Sequence, residues 1–207
     1  MKPNFKQLVY LFTLFSVSLL TYRILKSDSL SYIFLAWNLF LALIPWWISN
    51  YLKQKETLQL KHLPLFGMWL LFIPNSPYIL TDLFHLKLRE PFPLWYDLVL
   101  VLSFALIGMI VFLKSLKDMF AILKAHVSEM VFTLLIPIVF WLIAFGLYLG
   151  RYLRFNSWNV VNHPFRLMRQ SFDILFEKDT IGFTLIFSVF MWFMYYITLQ
   201  MNQNEKL

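Results

Sequence analysis

An aspartate and a histidine lie three residues apart in a stretch that is otherwise mostly apolar. The stretch PNSPYILTDLFHL, residues 74–86, places Asp82 and His85 directly after the apolar run LPLFGMWLLFI. A histidine side chain, with an ordinary pKa of about 6.5, can donate or accept a proton near neutral pH. A carboxylate can orient its ring, and Asp97 in the next apolar stretch is a second carboxylate available for this role. His85, Asp82 and Asp97 are therefore the candidate catalytic residues.

The spacing of polar residues after residue 77 predicts a polar stripe on an apolar helix. Tyr78, Asp82, His85 and Arg89 are separated by four, three and four residues. On an α-helix these positions fall within about 60° of arc. The residues between them are mostly apolar, so the stripe would be the only polar side of this predicted helix.

The elements that position these residues are apolar stretches long enough to cross a membrane. The chain has 207 residues, of which 60% are hydrophobic and 14% are charged, whereas soluble domains carry about 25% charged residues. Membrane-spanning helices need about 20 apolar residues. The sequence predicts an all-α integral membrane protein, a single domain over residues 1–207 with a bundle of about six transmembrane helices. The predicted spans cover residues 8–22, 30–52, 63–86, 94–113, 127–149 and 181–199.

Two prolines interrupt the third predicted span. Pro74 and Pro77 each remove a backbone donor and disfavour helix at the residue before them. Asn75 and Ser76 supply side-chain oxygens of the kind that cap a new helix. The sequence therefore predicts that one helix ends and another begins at this break.

The two aspartates predict a polar site near one face of the membrane. An ionisable side chain at membrane depth costs about 2.5–3.5 kcal/mol unless it has a partner or faces water. Arg151 and Arg154, at the end of the fifth span, are the expected partners of Asp82 and Asp97. Other hydrogen-bonding residues can converge on the same face. The predicted substrate-binding residues are Asn38, Asn75, Ser76, Tyr78, Arg89, Tyr148, Arg151, Arg154, Asn156 and Trp158.

The distribution of basic residues suggests an orientation. The two predicted faces carry equal numbers of basic residues, lysine and arginine counted together. Every arginine, however, falls on the face opposite the termini. Arginine suits specific phosphate or carboxylate contacts, whereas lysine suits general attraction to lipid headgroups. If the arginines serve a site, the lysine face is cytoplasmic, and we expect both termini on the cytoplasmic side.

The longest connection predicts a helix that lies along the membrane surface. In residues 164–178 one side carries apolar residues and the other carries charged residues, and Pro164 suits a first helical turn. This pattern is typical of an interfacial amphipathic helix. The apolar stripe comprises Phe165, Met168, Phe172, Leu175 and Phe176, with Leu167 and Ile174 outside it in positions that could pack under protein.

Three segments resemble a known family. The stretches PNSPYILTDLFHL, PLWYDLVLVLSF and YLGRYLRFNSWNVVNHP are similar to those of the uncharacterised bacterial multi-pass membrane proteins grouped as domain of unknown function 1361. The resemblance covers residues 30–199. It implies a bacterial cytoplasmic membrane protein but does not imply a particular activity. The residues that match the family's main motif are Pro74, Asn75, Pro77, Tyr78, Thr81, Asp82, Leu83 and His85.

Several functional classes lack their sequence signals. The chain has no cysteine, no HExxH motif, no Gly-rich phosphate loop and no nucleic-acid recognition module, so we predict no metal, no cofactor and no nucleic-acid partner. The expected partners are membrane lipid and a lipid-linked substrate or small solute. Three functions stay open: a membrane-interface enzyme acting on a phosphate-bearing lipid or lipid-linked substrate, a small transporter or channel with a discontinuous helix, and a non-catalytic scaffold or assembly partner. The oligomeric state is also open.

Overall fold

The structure, a computed structural model, describes residues 3–55, 59–155, 162 and 164–204. All regular elements in these residues are helical. The α-helices are α1 (Phe5–Ser27), α2 (Phe34–Lys53), α3 (Leu63–Phe72), α4 (Asn75–Tyr78), α5 (Leu94–Lys124), α6 (Glu129–Tyr152), α7 (Pro164–Ile174) and α8 (Lys178–Asn204), and Leu60–His62 and Ile79–His85 form 3-10 helices.

Five of the helical segments are long and apolar enough to cross a membrane: Phe5–Ser27, Leu63–His85, Leu94–Lys124, Glu129–Tyr152 and Lys178–Met201. The predicted class, an all-α membrane bundle, is therefore confirmed. Helix α2 has 20 residues but is not among the five. Its sequence includes asparagines and several tryptophans, which lower its mean hydropathy. A sixth crossing by α2 stays a prediction.

Helix α5 lies at the centre of the bundle. Its 31 residues carry buried side chains along the whole length, from Leu100 to Ile122. The first half packs in one apolar cluster with α1 and α2, through residues such as Leu39 and Phe104. The second half packs in another cluster with α3, α6 and α8. The surrounding helices are thus positioned by their contacts with α5.

Arginine and lysine are unevenly distributed between the two ends of the bundle. We call the end where Arg23, His85 and Arg151 lie the arginine end. At the opposite lysine end, the nearly buried Asp118 accepts hydrogen bonds from Lys53, at 2.7 Å, and from Lys114. This agrees with the predicted separation of arginines from lysines. Which end faces the cytoplasm stays a prediction.

The break in the third span is a tight turn. Ile73 and Pro74 keep right-handed helical backbone angles, with φ of −59° and −60°. The Asn75 Nδ2 atom donates to the carbonyl of Phe72 at 2.9 Å, and the Ser76 hydroxyl donates to the carbonyl of Ala42 at 2.7 Å. The prediction that Asn75 and Ser76 cap a new helix is therefore wrong. Asn75 instead donates to a carbonyl of α3 and Ser76 to a carbonyl of α2.

The helix that should carry the polar stripe is shorter than predicted. The chain forms a 3-10 helix over Ile79–His85 and then becomes extended at Leu86. Arg89 lies beyond this end, in a bridge with Phe92. The prediction that Arg89 belongs to the polar stripe is therefore wrong. Asp82 and His85 remain aligned, because a 3-10 helix has three residues per turn.

Glycines allow α5 and α6 to approach the break closely. A Cβ atom at Gly108 of α5 would overlap the carbonyl oxygen of Ser76, and one at Gly146 of α6 would lie 2.7 Å from the Pro74 ring. The close approach at Gly146 agrees with the small-residue spacing of Gly146 and Gly150. These contacts fix the break between the two long helices.

A buried ion pair joins α1 to the beginning of α5. The Arg23 Nε atom lies 2.8 Å from Asp97 Oδ1, and the two side chains are 3% and 0% exposed. Arg23 also donates to the carbonyl of Arg89 at 3.1 Å, and its guanidinium lies 4.6 Å from the Phe92 ring centroid. The prediction that Arg151 or Arg154 neutralises Asp97 is therefore wrong. Arg23 does so, and it also holds the 89–92 turn.

We expect Gly108→Ala to lower the stability of the protein by about 1–3 kcal/mol, because the added methyl group would push Ser76 away from α5. Thermal unfolding of the purified protein in detergent would measure the change. Gly67→Ala is the control, since a Cβ there meets nothing within 4 Å. Equal behaviour of the two variants would contradict the close packing at Ser76.

We expect Asp97→Asn to lower the free energy of unfolding by about 3–5 kcal/mol, because it leaves the buried Arg23 without a counter-charge. The double variant Arg23→Met, Asp97→Leu should recover much of this loss, because it removes both charges. Reversible unfolding in mixed detergent of this double variant and of Arg23→Met and Asp97→Leu alone would complete a double-mutant cycle, with the exposed Asp28→Asn as the control. Strictly additive effects would contradict the pairing.

Candidate functional site

Asp82 is the buried end of a polar cluster at the arginine end. The residue is 1% exposed. Asn38 Nδ2, from α2, donates to its Oδ2 atom at 2.8 Å, and Arg151 Nη1, from α6, lies 3.9 Å from its Oδ1 atom. Arg151 is thus a partner of Asp82, as predicted. A carboxylate on the 3-10 helix is held by side chains from two other helices.

Arg151 also contacts the exposed His85. The Arg151 Nη1 atom lies 3.0 Å from His85 Nε2. A guanidinium group only donates hydrogen bonds, so Nε2 must accept, and the imidazole is neutral with its proton on Nδ1. The sequence predicted that Asp82 or Asp97 orients the histidine, but in the structure the hydrogen bond to His85 comes from Arg151. Arg151 orients His85, and Asp82 orients Arg151.

Two aromatic rings flank the Arg151–His85 contact. The Arg151 guanidinium lies 5.1 Å from the Phe84 ring centroid, and the Phe34 ring meets the His85 ring edge-on at 5.5 Å. The Arg151 side chain is 13% exposed. Exposure thus increases from Asp82 through Arg151 to His85, and the cationic group is reachable from the surface without being fully hydrated.

A cavity of about 130 Å³ adjoins this cluster. Asn38, Asn75 and Tyr78 supply its polar atoms, and Gly146 and Gly150 of α6 form part of its wall. Asn38 connects the cavity to the cluster because it also binds Asp82. A Cβ atom at Gly150 would lie 3.2 Å from the Tyr78 ring, so the two glycines let α6 pack close to Pro74 and Tyr78. Three of the predicted substrate-binding residues thus line one cavity.

Other predicted site residues lie apart from this cavity. Asp97 is paired with Arg23, and Ser76 is fully buried with its hydroxyl on Ala42. The Arg89 guanidinium lies 5.2 Å from the Tyr32 ring centroid. Burial raises the pKa of the Tyr32 phenol, and the nearby Asp97 carboxylate adds to this rise. Arg23, Asp97, Arg89 and Tyr32 form a separate structural cluster at the arginine end, and Ser76 is not part of it.

The fifth span contributes less than expected. Tyr148 stacks on Tyr152 at 4.6 Å and meets Phe183 of α8 at 5.5 Å, so it packs on α8. Arg154 is exposed and has a left-handed backbone with φ of 56°. The predicted binding residues Asn156 and Trp158 lie outside the described residues. Arg151 is thus the residue of this group that joins the cluster.

Sequence reasoning missed two contributors. Arg23 falls just outside the predicted span of residues 8–22, but it lies within α1 and pairs with Asp97. Its position close after an apolar stretch and its distance of 74 residues from Asp97 gave no pairing signal. Leu167 of α7 lines the cavity, and its place outside the apolar stripe was the available indication. Among the described residues, no group of three or more potential ligands could hold a metal ion.

Comparison with known proteins places the chain in a family. The family model described as protein of unknown function (DUF1361) matches residues 37–194, which include Asn38, Asp82, His85 and Arg151. No curated protein and no solved structure matches the chain. The matched region covers more than half of the sequence and lies within the 30–199 stretch predicted to resemble this family. The chain therefore belongs to the DUF1361 family.

Proposed function

We propose that this protein is a membrane-interface enzyme that acts on a lipid or lipid-linked substrate bearing a phosphate group. The observation that carries the proposal is the contact of the partly exposed Arg151 with both His85 and Asp82, beside a polar cavity. The cluster joins a cation suited to phosphate, a neutral imidazole and space for a headgroup.

The charge balance of the cluster supports binding of an anion. Asp82 lies 3.9 Å from Arg151, beyond normal hydrogen-bond length, and also accepts from Asn38. Arg151 has five N–H donors, and the contacts to Asp82 and His85 both use Nη1. The guanidinium therefore retains donors for a phosphate oxygen, and arginine binds phosphate through paired hydrogen bonds. Lys87 adds positive charge near His85.

The hydrogen bond to His85 suggests how the histidine takes part. A phosphate bound to the remaining donors of Arg151 would pull the guanidinium towards itself and weaken its hydrogen bond to His85 Nε2. The released Nε2 atom would then lie beside the bound headgroup as a free base. General acid–base catalysis requires such hydrogen-bond reach between the imidazole and the reacting group. His85 is therefore the proposed catalytic residue, and Asp82 and Asn38 are positioning residues.

The location of the cluster suits a lipid substrate. Asp82 and His85 lie at the end of the apolar segment Leu63–His85, and α7 lines the same cavity through Leu167. The end of a membrane-spanning segment is where lipid headgroups lie. The site is thus placed to meet a phosphate at the membrane surface.

We expect His85→Ala to reproduce the lipid profile of a deletion strain, because the substrate would accumulate when proton transfer is lost. Untargeted lipid and lipid-linked glycan profiling at matched protein levels would show this. His126→Ala, near the lysine end, is the control and should match wild type. A deletion that changes the profile while His85→Ala does not would exclude His85 as the catalytic residue. An unchanged profile in both strains would contradict the enzyme and favour a scaffold or transport role.

We expect Arg151→Lys to weaken binding of a soluble short-chain phosphatidic acid by about tenfold, since lysine keeps the charge but loses the paired donors. Isothermal titration calorimetry of the purified protein in detergent would measure the affinity. Arg169→Lys on α7 is the matched control, because Arg169 is exposed on a helix at the same end. Equal affinities for Arg151→Lys and wild type would show that the guanidinium does not bind the phosphate.

A further inference from the structure

A second cavity lies between α6 and the amphipathic helix α7. It has a volume of about 350 Å³, within the usual range of ligand sites. Phe145 and Leu149 line it from α6, and Leu167, Ser171 and Phe172 line it from α7. Apart from Ser171, these side chains are apolar. We call this space the α6–α7 groove.

The α6–α7 groove adjoins the polar cavity. Leu149 and Leu167 line both spaces. A molecule in the polar cavity therefore has an apolar space next to it, on the other side of these two leucines. The two spaces together match an amphipathic ligand, with a polar part beside Asn38 and an apolar part against Phe145.

Helix α7 has the character of an interfacial helix. Phe165 and Met168 are 84% and 59% exposed, and they belong to the apolar stripe predicted from the sequence. Arg166 and Asp173 are exposed as well. A helix with one apolar and one charged side lies where headgroups meet hydrocarbon. The groove beneath α7 therefore lies at a depth that hydrocarbon chains can reach.

We propose that one hydrocarbon chain of the phosphate-bearing lipid lies in the α6–α7 groove, an inference that rests on the proposed function of the polar cavity. The charge of Arg151 and the apolar lining of the groove favour this ligand over others. Arg151, next to the cavity wall at Gly150, favours an anionic headgroup, and the adjoining apolar space favours a hydrocarbon chain. A soluble anion has no hydrocarbon chain to fill the groove, and a neutral lipid has no negative charge to pair with Arg151.

The test compares two phosphatidic acids with the same headgroup. Palmitoyl-oleoyl phosphatidic acid has chains that reach the groove, and dihexanoyl phosphatidic acid has short chains. Ser171→Phe places a ring in the groove. We expect it to weaken binding of the long-chain lipid by about tenfold or more and to leave binding of the short-chain lipid unchanged. Native mass spectrometry of the purified full chain would measure both affinities.

Two control variants separate this inference from the proposed function. Ser18→Phe makes the same change on the exposed surface of α1 and should bind both lipids like wild type. Arg151→Leu should weaken both lipids, because it acts on the headgroup. If Arg151→Leu weakens lipid binding and Ser171→Phe does not, the headgroup site stands and the proposed chain site in the groove is wrong. An effect of Ser171→Phe on the long-chain lipid alone, with none from Arg151→Leu, would overturn the headgroup site and keep the groove.

A labelling experiment avoids dependence on a bulky substitution. The chain has no cysteine, so Ser171→Cys gives a single reactive thiol. We expect the long-chain phosphatidic acid to slow its reaction with a maleimide at least about fivefold and the dihexanoyl form to leave the rate unchanged. Equal rates with both lipids would overturn the inference.

Discussion

Placing the Asp82 carboxylate inside an apolar bundle constrains much of the arginine end. An unpaired carboxylate at this depth would be costly, so it needs hydrogen bonds and a counter-charge. Asn38 and Arg151 supply them from α2 and α6. The two helices are thereby tied to the 3-10 helix that follows the break. The same interactions place Arg151 within reach of His85, and Asn38 also lines the neighbouring cavity.

The break in the third span makes this arrangement possible. The side chains of Asn75 and Ser76 donate to the carbonyls of Phe72 and Ala42 and so connect this segment to α3 and α2. Since Ser76 is fully buried, its hydroxyl stabilises the bundle and does not face the cavity. Gly108 allows α5 to pack directly on this segment. The broken helix thus serves to turn the chain so that Asp82 and His85 meet α6, and an open substrate pathway at Ser76 is not part of this structure.

Sequence predicted the class and part of the site. Length and composition were sufficient for an all-α membrane bundle, and the cost of a buried charge was sufficient to pair Asp82 with Arg151. The partner of Asp97 was wrong, because pairing between distant helices depends on how each helix is rotated, and packing at small residues such as Gly108 sets that rotation. Arg89 was misplaced because the 3-10 helix ends at His85 and the chain is extended from Leu86. The tautomer of His85 followed only from its contact with Arg151.

The measurement that tests the account most directly is ¹⁵N NMR of the His85 imidazole in the purified protein, before and after addition of dihexanoyl phosphatidic acid. The contact with Arg151 predicts a neutral ring with its proton on Nδ1 and a hydrogen-bonded Nε2 in the free protein. Binding of the phosphate should change the Nε2 signal, because Arg151 is then engaged by the lipid. A saturating lipid that binds and leaves the Nε2 signal unchanged would contradict the proposed site.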